Sequence, residues 1–373
     1  MAQISRARHA LFLATPFVVF AGLLAGIEAG VRLGWPRLES LDVFVRQPDV
    51  RDDLEDGRHV RIFEADAQLG WRLKPDLDRV AWDFTLVSTN PQGIRHPRPL
   101  GRKPHGTRRI VCLGDSVTFG FRVPVVFVER PHDDSPDSLP YPMLLEKALR
   151  TANPEHPPEV VDLAVPGYSS HQGLAWLQRD IGWLEPDLVT LCFGWNDISL
   201  RPPPDAVALP QGALRSWGRG LVGRSQALLR LSLWLRTWRE VGPPADTATP
   251  RVAQAAYVAN ILEMAALARR HGAAVVVIGP VYRDALGNPA EAVRMTGYRE
   301  ALRVASGQQG LPYLEVPELT ESGYPGNRNL FGETIHPNHL GHRLLATRLL
   351  HFLSVHGLLG ELRAPTGADP GLD

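Results

Sequence analysis

Residues 109–120 read RIVCLGDSVTFG, and this stretch decides the fold. Its first half is a short, unbroken apolar run rich in branched side chains, as is typical of a β-strand covered on both faces. Further runs of this kind follow along the chain: EVVDLAV (Glu159–Val165), LVTLCFG (Leu188–Gly194), AAVVVIG (Ala273–Gly279) and LPYLEV (Leu311–Val316). Together the runs predict five strands.

Helical patterns separate these runs. They cover Tyr141–Thr151, His171–Trp183, Ala253–His271, Ala292–Gly307 and Asn338–Val355. Strands that alternate with helices form a parallel sheet with helices packed on both faces. The prediction is therefore an α/β protein, a three-layer sandwich with a five-stranded parallel sheet. Chemistry in such a sheet lies at the carboxyl ends of the strands.

Three small or polar residues stand just past predicted strand ends. Ser116 follows the first strand, where its hydroxyl either faces a substrate or caps a helix. Gly167 follows the second strand, and it is either a simple turn residue or a place where a backbone N–H approaches a ligand. Asn196 follows the third strand, as a turn residue or as an amide donor toward a developing negative charge.

The last polar block reads ETIHPNHLGH from Glu333 to His342. Pro337 suits the first position of a helix, which places His336 at the helix entrance. Glu333 lies three residues before His336 and is in reach of its second ring nitrogen, although a solvated loop carboxylate is the plainer interpretation. A serine, a histidine and a carboxylate within such reach can form an acyl-transfer triad.

Taken together, these blocks resemble the motifs of the SGNH hydrolases, also called GDSL esterases and lipases. GDS follows the first strand, a glycine the second, G-x-N-D the third, and HPN comes near the end. The resemblance covers about residues 108–358 and implies a flavodoxin-like fold. The apolar N-terminus and the Pro-rich segment after it are also similar to membrane-anchored bacterial members.

The resemblance implies a role for each site residue. Ser116 corresponds to the nucleophile and His336 to its base. The oxyanion hole corresponds to the backbone N–H groups of Ser116 and Gly167 and the side chain of Asn196. The family usually has Asp three residues before the histidine, and here Glu333 stands there, so either its geometry toward His336 differs or the carboxylate matters less.

The predicted function is that of a serine esterase that hydrolyses an acyl ester through an acyl-enzyme. The substrate is expected to be a small-molecule or glycan ester, such as an O-acetyl group on a glycan, or a lipid ester. Two alternatives stay open: an O-acyltransferase acting on a saccharide, and a non-catalytic domain that binds acylated glycans. No cofactor and no metal are expected. The oligomeric state is not predicted.

Composition argues against several other classes of protein. Lys and Arg together number 40, as do Asp and Glu, and a nucleic-acid binder normally carries a basic excess. Two cysteines cannot build a four-cysteine zinc site. The spacing of His336, His339 and His342 permits metal ligation, but no cysteine or carboxylate cluster completes the site. Gly218–Gly223 matches G-x-G-x-x-G without the preceding strand that a dinucleotide site requires.

The N-terminus carries an uncharged run from Ala10 to Ile27. As a helix it rises about 27 Å, roughly the thickness of a bilayer core. We expect residues 1–34 to form one transmembrane anchor, with a cleaved signal peptide as the main alternative and a buried core helix as the third. Arg6 and Arg8 before the run favour a catalytic domain on the outer, periplasmic or extracellular, side.

The remaining boundaries follow from breaks in the pattern. Residues 35–107 are Pro-rich and predict a β-containing appendage, and residues 359–373 predict a disordered tail. An insert at residues 199–250 interrupts the hydrolase-like domain. It contains one predicted helix, Leu221–Val241, with Leu and Trp at helical spacing and Arg between them. This helix either packs on the domain or lies at a membrane interface.

Overall fold

The computed structural model describes residues 6–38, 62–83, 85–123, 138–200, 204–209, 212–239, 249–282, 289–320, 324–332 and 335–365. The strands are β1 Phe63–Asp66, β2 Gly70–Leu73, β3 Val80–Trp82, β4 Thr85–Val87, β5 Arg109–Gly114, β6 Glu159–Ala164, β7 Leu188–Cys192, β8 Ala274–Ile278 and β9 Tyr313–Leu314. The helices are α1 Arg6–Gly34, α2 Ser116–Phe119, α3 Tyr141–Ala152, α4 Ser170–Leu184, α5 Trp195–Ile198, α6 Asp205–Ala208, α7 Ala213–Arg224, α8 Gln226–Arg239, α9 Gln254–Arg270, α10 Pro289–Gln308, α11 Pro317–Thr320 and α12 His339–Val355.

Strands β5 to β9 form one five-stranded sheet in the order β6-β5-β7-β8-β9, and every neighbouring pair is parallel. The chain runs from β5 outward to β6 and then returns to β7 on the other side of β5. This reversal opens a crevice at the carboxyl ends of β5 and β7, which is where such sheets bind ligands. The predicted α/β fold is confirmed.

Alternate side chains of each strand enter two separate cores. Val111 and Leu113 of β5 pack with α4 and α9 on one face of the sheet. Ile110 and Cys112 pack with α3 and α12 on the other face. Because side chains alternate along a strand, an unbroken apolar run supplies both faces at once. Helices therefore cover both faces, as predicted.

The segment before the sheet contains two antiparallel hairpins, β1–β2 and β3–β4. It is not a separate body, because Ile62, Leu69 and Trp71 are buried in the same core as one face of the sheet. The Trp71 indole N–H donates to the carbonyl of Pro166 over 3.1 Å. Residues 39–61 of the predicted appendage lie outside the described part of the chain.

The prediction of a single helix over Leu221–Val241 is wrong. The segment belongs to two helices, α7 and α8, which are separated at Ser225. The Ser225 hydroxyl accepts a hydrogen bond from the Leu228 N–H, while the Glu28 carboxylate of α1 accepts those of Gln226 and Ala227. These bonds satisfy backbone N–H groups in the first turn of α8, which have no partner within the helix. Because Glu28 is distant in the sequence, the local pattern of apolar residues could not predict this break.

The predicted disordered tail begins too early. Leu359 is buried in the core beside α12, and the Arg363 N–H donates to the Asn153 side chain over 2.8 Å. Residues 359–365 therefore pack against the domain. Residues 366–373 lie outside the described part of the chain.

Helix α1 contains a 22-residue stretch, Leu13–Gly34, with a mean hydropathy of 1.7 and no part of it buried. Its length and composition suffice to cross a membrane. A membrane anchor and a signal peptide share these properties, so the helix by itself supports membrane association without deciding between the two.

Candidate active site

A tight turn after β5 holds Ser116 at the rim of the sheet. The Asp115 carboxylate caps α2 by accepting the Val117 N–H over 2.9 Å. A Cβ atom on Gly114 would lie 2.0 Å from Thr118 Oγ1 and 2.8 Å from the Cys192 carbonyl oxygen. Only glycine fits there, so the packing of the turn requires the glycine of the GDS motif.

His336 lies against this turn. Its Nε2 atom is 2.8 Å from Ser116 Oγ, although 220 residues separate the two along the chain. Both side chains are largely buried, at 8% and 6% exposure. Phe121 packs on the imidazole with ring centroids 4.4 Å apart and limits the positions open to the ring. The structure thus brings together the serine and the histidine that the sequence singled out.

The entrance to α12 differs from the prediction. Asn338 is the N-cap, accepting the Leu340 and Gly341 N–H groups, so Pro337 precedes the helix instead of occupying its first position. The His336 carbonyl accepts the Gly332 N–H over 3.0 Å. His336 therefore belongs to the loop, which this bond fixes. Glu333 lies outside the described residues, and its role stays a prediction.

Gly167 adopts a left-handed conformation with φ 84°. Its carbonyl accepts a 2.8 Å hydrogen bond from Arg251, whose guanidinium also binds both carboxylate oxygens of Asp205 at 2.8 and 3.0 Å. The bond from Arg251 fixes the peptide group that joins Gly167 to Tyr168, and the bond from Trp71 to the Pro166 carbonyl holds the peptide group that carries the Gly167 N–H. The sequence offered no signal for Arg251 or Asp205, because each comes from a different part of the insert region.

Asn196 connects the other two turns of the rim. Its Nδ2 atom donates to the Tyr168 carbonyl over 3.0 Å, and Tyr168 directly follows Gly167. Its side chain also lies beside Asp115, the neighbour of Ser116, and lowers the pKa of that carboxyl group. In the described part of the chain, nothing accepts a hydrogen bond from the backbone N–H of Ser116 or Gly167.

Two buried carboxyl groups lie beneath this rim. Burial raises the pKa of Asp115 to about 7; the Val117 N–H opposes the rise and the charge of Asp197 adds to it. Burial likewise raises the pKa of Asp197 to about 6, against hydrogen bonds from Ser170. Desolvation disfavours the ionised form of each group. The site therefore has buried carboxyl groups below the polar residues at the edge of the sheet.

Of the other two histidines in the block, His342 is structural. Its Nδ1 atom accepts the Tyr141 N–H at the start of α3 over 3.2 Å, and burial lowers its pKa to about 3. His339 is exposed in the first turn of α12. Among the residues described, no group of three His, Cys, Asp or Glu side chains is placed to hold a metal ion.

Arg95 supports the site from the appendage. Its buried guanidinium donates to the carbonyls of Phe119, Gly120 and Val123, which form the turn after α2. Burial lowers the pKa of Arg95 to about 10, and the attraction of the buried Asp162 opposes this shift. Sequence reasoning missed Arg95, since a lone arginine in a Pro-rich segment carries no local signal of burial.

Replacing Arg95 with leucine is expected to lower the free energy of unfolding by about 3–5 kcal/mol, because four backbone carbonyls, those of Leu86, Phe119, Gly120 and Val123, lose their hydrogen-bond donor. Urea unfolding followed by circular dichroism measures this. Arg102→Leu is the matched control: Arg102 is 91% exposed and its ion pair with Glu185 spans 3.9 Å, so a change within about 0.5 kcal/mol is expected. Equal effects in the two variants would contradict the role of Arg95.

The sequence and the fold of the chain are similar to those of known proteins. A model of the GDSL-like lipase/acylhydrolase family matches residues 112–344. A search of curated proteins finds no match. An α/β hydrolase from the metagenome of Lake Arreo is 20% identical, with 66% of this chain and 95% of that chain covered and a TM-score of 0.42. A catalytic mutant of an acetylxylan esterase from Geobacillus stearothermophilus is 16% identical, with 66% of this chain and 94% of that chain covered and a TM-score of 0.43. A lipase/acylhydrolase from Enterococcus faecalis is 18% identical, with 70% of this chain and 100% of that chain covered and a TM-score of 0.43.

Proposed function

Since the chain belongs to the GDSL-like lipase/acylhydrolase family and is therefore an ester-hydrolysing enzyme, we propose that Ser116 is its nucleophile and His336 its general base. The single observation that carries the proposal is the 2.8 Å contact between Ser116 Oγ and His336 Nε2. That distance lets the imidazole take the hydroxyl proton as Oγ attacks the ester carbonyl.

For Nε2 to accept this proton, the other ring nitrogen, Nδ1, must carry the hydrogen. We assign Glu333 the role of accepting that N–H, which fixes the tautomer and stabilises the imidazolium once it forms. The collapse of the tetrahedral intermediate transfers the proton from His336 to the leaving alcohol and leaves an acyl group on Ser116. Water then attacks the acyl-enzyme, with His336 again acting as base, and the acid is released.

The oxyanion is assigned to the N–H groups of Ser116 and Gly167 and to the amide of Asn196. Asn196 has two side-chain N–H donors; one bonds to the Tyr168 carbonyl, and the side chain also lies beside Asp115. In this proposal the Tyr168 bond holds the amide in place while its second N–H donates to the substrate oxygen. A donor preorganised in this way stabilises charge as it develops in the transition state.

Asn196→Ala is expected to lower kcat by about 10²–10³, the usual cost of losing one oxyanion donor. KM should change little, because the neutral ester carbonyl bonds this donor more weakly than the oxyanion does. Steady-state kinetics on one soluble ester separates the two parameters. A large rise in KM with kcat unchanged would instead assign Asn196 to substrate binding.

A panel of nitrophenyl esters of increasing acyl length, together with acetylated sugars, tests the proposed chemistry and reports the size of the acyl pocket. Turnover in water without an acceptor supports the esterase. Turnover that appears only after a saccharide is added identifies the O-acyltransferase. Binding of acetylated sugars without turnover of any ester would leave the non-catalytic alternative and overturn the proposal.

We further propose that α1 is an uncleaved anchor that keeps the catalytic domain on the outer side of the membrane. The uncharged run supports a span, and the paired Arg6 and Arg8 before it support a cytoplasmic N-terminus. Esters carried by envelope glycans or lipids are then the substrates within reach.

The anchor predicts that the full chain stays in the membrane pellet after alkaline carbonate extraction, which removes proteins held by charge alone. A variant lacking residues 1–34 should move to the supernatant, since the only span-length apolar helix in the described chain is gone. Immunoblotting of the two fractions measures this. Recovery of the full chain in the supernatant, or of a shortened mature form, would favour the cleaved signal peptide.

A further inference from the structure

The two helices of the insert, α7 and α8, expose large apolar side chains. Seven of them are between 40% and 78% exposed: Leu214, Trp217 and Leu221 on α7, and Leu228, Leu231, Trp234 and Leu235 on α8. Within each helix most of them are spaced three or four residues apart, so each helix carries them as a stripe on one face. A stripe of this size facing water is costly and marks a surface that contacts something apolar.

The charges on these helices all have one sign. Neither α7 nor α8 contains Asp or Glu, while their sequences include Arg215, Arg219, Arg224, Arg230, Arg236 and Arg239. Arg215 and Arg224 are exposed. Apolar and tryptophan side chains on one face, together with arginine and no acidic residue, are the composition of helices that lie in the headgroup layer of anionic membranes.

The position of these helices relative to α1 is set by direct contacts. Glu28 accepts hydrogen bonds from Ser225 Oγ, Gln226 N and Ala227 N at 2.8, 2.9 and 3.0 Å. Glu28 is also the first charged residue after the uncharged run that ends at Ile27. The junction of α7 and α8 therefore lies at the level where α1 leaves the hydrocarbon core.

A second contact also places α8 near the membrane surface. The Arg230 guanidinium lies 5.8 Å from the ring of Trp35, just beyond the end of α1. Tryptophan side chains concentrate at the headgroup level of a bilayer, where one side of the ring is apolar and the other is wet. Trp35 thus places α8 in the same layer that Glu28 indicates.

We propose that the membrane hairpin, defined as α7 and α8, lies in the headgroup layer of the leaflet at the carboxyl end of α1. Its apolar stripe enters the acyl-chain boundary, and Arg215 and Arg224 bind the phosphates of anionic lipids. The proposal rests on the proposed anchor. Arg219 of the hairpin donates to the carbonyls of Ala67 and Gln68 in the β1–β2 turn, so the hairpin ties the catalytic domain to the bilayer at a fixed height.

The test uses the full chain in vesicles of phosphatidylethanolamine and phosphatidylglycerol, with one nitroxide attached to an introduced cysteine. Leu231→Cys probes the hairpin, Phe20→Cys probes α1, and Val293→Cys, an exposed apolar site on α10, is the matched control. The native Cys112 and Cys192 are buried, and burial raises their thiol pKa values, so they react poorly. Collisions with oxygen, which enters bilayers, and with a water-soluble nickel chelate report the depth of each label.

We expect labels at 231 and 20 to collide with oxygen and not with the nickel chelate. The label at 293 should collide mainly with the nickel chelate. A label at 231 that behaves like the one at 293, with the label at 20 in the bilayer, overturns the hairpin proposal and leaves the anchor intact. Labels at 20 and 231 both in water overturn the two together. A label at 231 shielded from both reagents and broadened by a second label identifies another copy of the chain as the occupant and also overturns the proposal.

The lipid charge is tested by the same label at 231. Arg215→Gln with Arg224→Gln should lower the ratio of membrane-bound to free hairpin by about tenfold or more, since each arginine near an anionic surface contributes about 1 kcal/mol. Replacing phosphatidylglycerol with phosphatidylcholine should act in the same direction. Arg303→Gln on α10, also exposed, is the control and should change nothing. An unchanged ratio in the double variant would overturn the assignment of these arginines to lipid phosphates.

Discussion

Ser116→Ala is expected to abolish ester turnover, with kcat lower by about 10⁴–10⁶, while the fold survives. The substitution removes one oxygen atom, the one that lies 2.8 Å from His336 Nε2. The turn around it is held by Asp115, Gly114 and the Arg95 bonds, none of which involves the Ser116 hydroxyl. Circular dichroism and the melting curve should therefore match those of the unaltered protein.

A matched control keeps this result specific. Ser199 ends α5 near the same edge of the sheet, and its hydroxyl donates to the Trp195 carbonyl. Ser199→Ala also removes one hydroxyl but should leave kcat within a few-fold of the unaltered value. Activity of Ser116→Ala within tenfold of the unaltered protein, with a normal melting curve, would remove Ser116 as the nucleophile.

Glu333→Gln has the second-largest expected effect, a loss of kcat of up to about 10⁴. The amide keeps the shape of the carboxylate but lacks its charge. The amide can also donate a hydrogen bond to Nδ1 of His336, which would place the ring hydrogen on Nε2. A protonated Nε2 atom cannot accept the Ser116 proton. kcat measured across pH, for both proteins on one ester, tests the assignment. A rate and pH profile equal to those of the unaltered enzyme would leave a Ser116–His336 dyad and remove Glu333 from the site.

Glu333→Asp refines this result. It restores the residue that the family usually has, but its side chain is one methylene shorter than that of Glu333. We expect partial activity, above that of Glu333→Gln and below that of the unaltered enzyme. Activity no better than that of Glu333→Gln would mean that reach, as well as charge, is required at this position.

The parts of the fold that the sequence predicted are those set by local periodicity. The run at Ile110–Gly114 is apolar without alternation because both faces of its strand are buried, so its pattern alone indicates a central parallel strand. Once the strands are placed, topology brings their carboxyl ends to one edge. The prediction that Ser116 and His336 meet there needed only the order of motifs, and the structure places them in contact.

The parts that sequence reasoning missed depend on partners distant in the chain. The break at Ser225 is stabilised by Glu28, and the carbonyl of Gly167 is held by Arg251. Neither contact leaves a local pattern, because a single charged residue in a polar stretch looks the same whether it is solvated or buried. Only the three-dimensional structure distinguishes the two cases.

The burial of Arg95 beneath the turn after α2 has a consequence for how the molecule comes apart. The hairpins before residue 108 share one core with the sheet, and Arg95 ties them to the peptide groups next to the nucleophile. Unfolding of the hairpin segment would remove the Arg95 bonds that support the active site. It would at the same time expose one apolar face of the sheet. Segments that lose their contacts together unfold as one cooperative unit. A chain trimmed to the sheet alone would therefore lack part of its own interior.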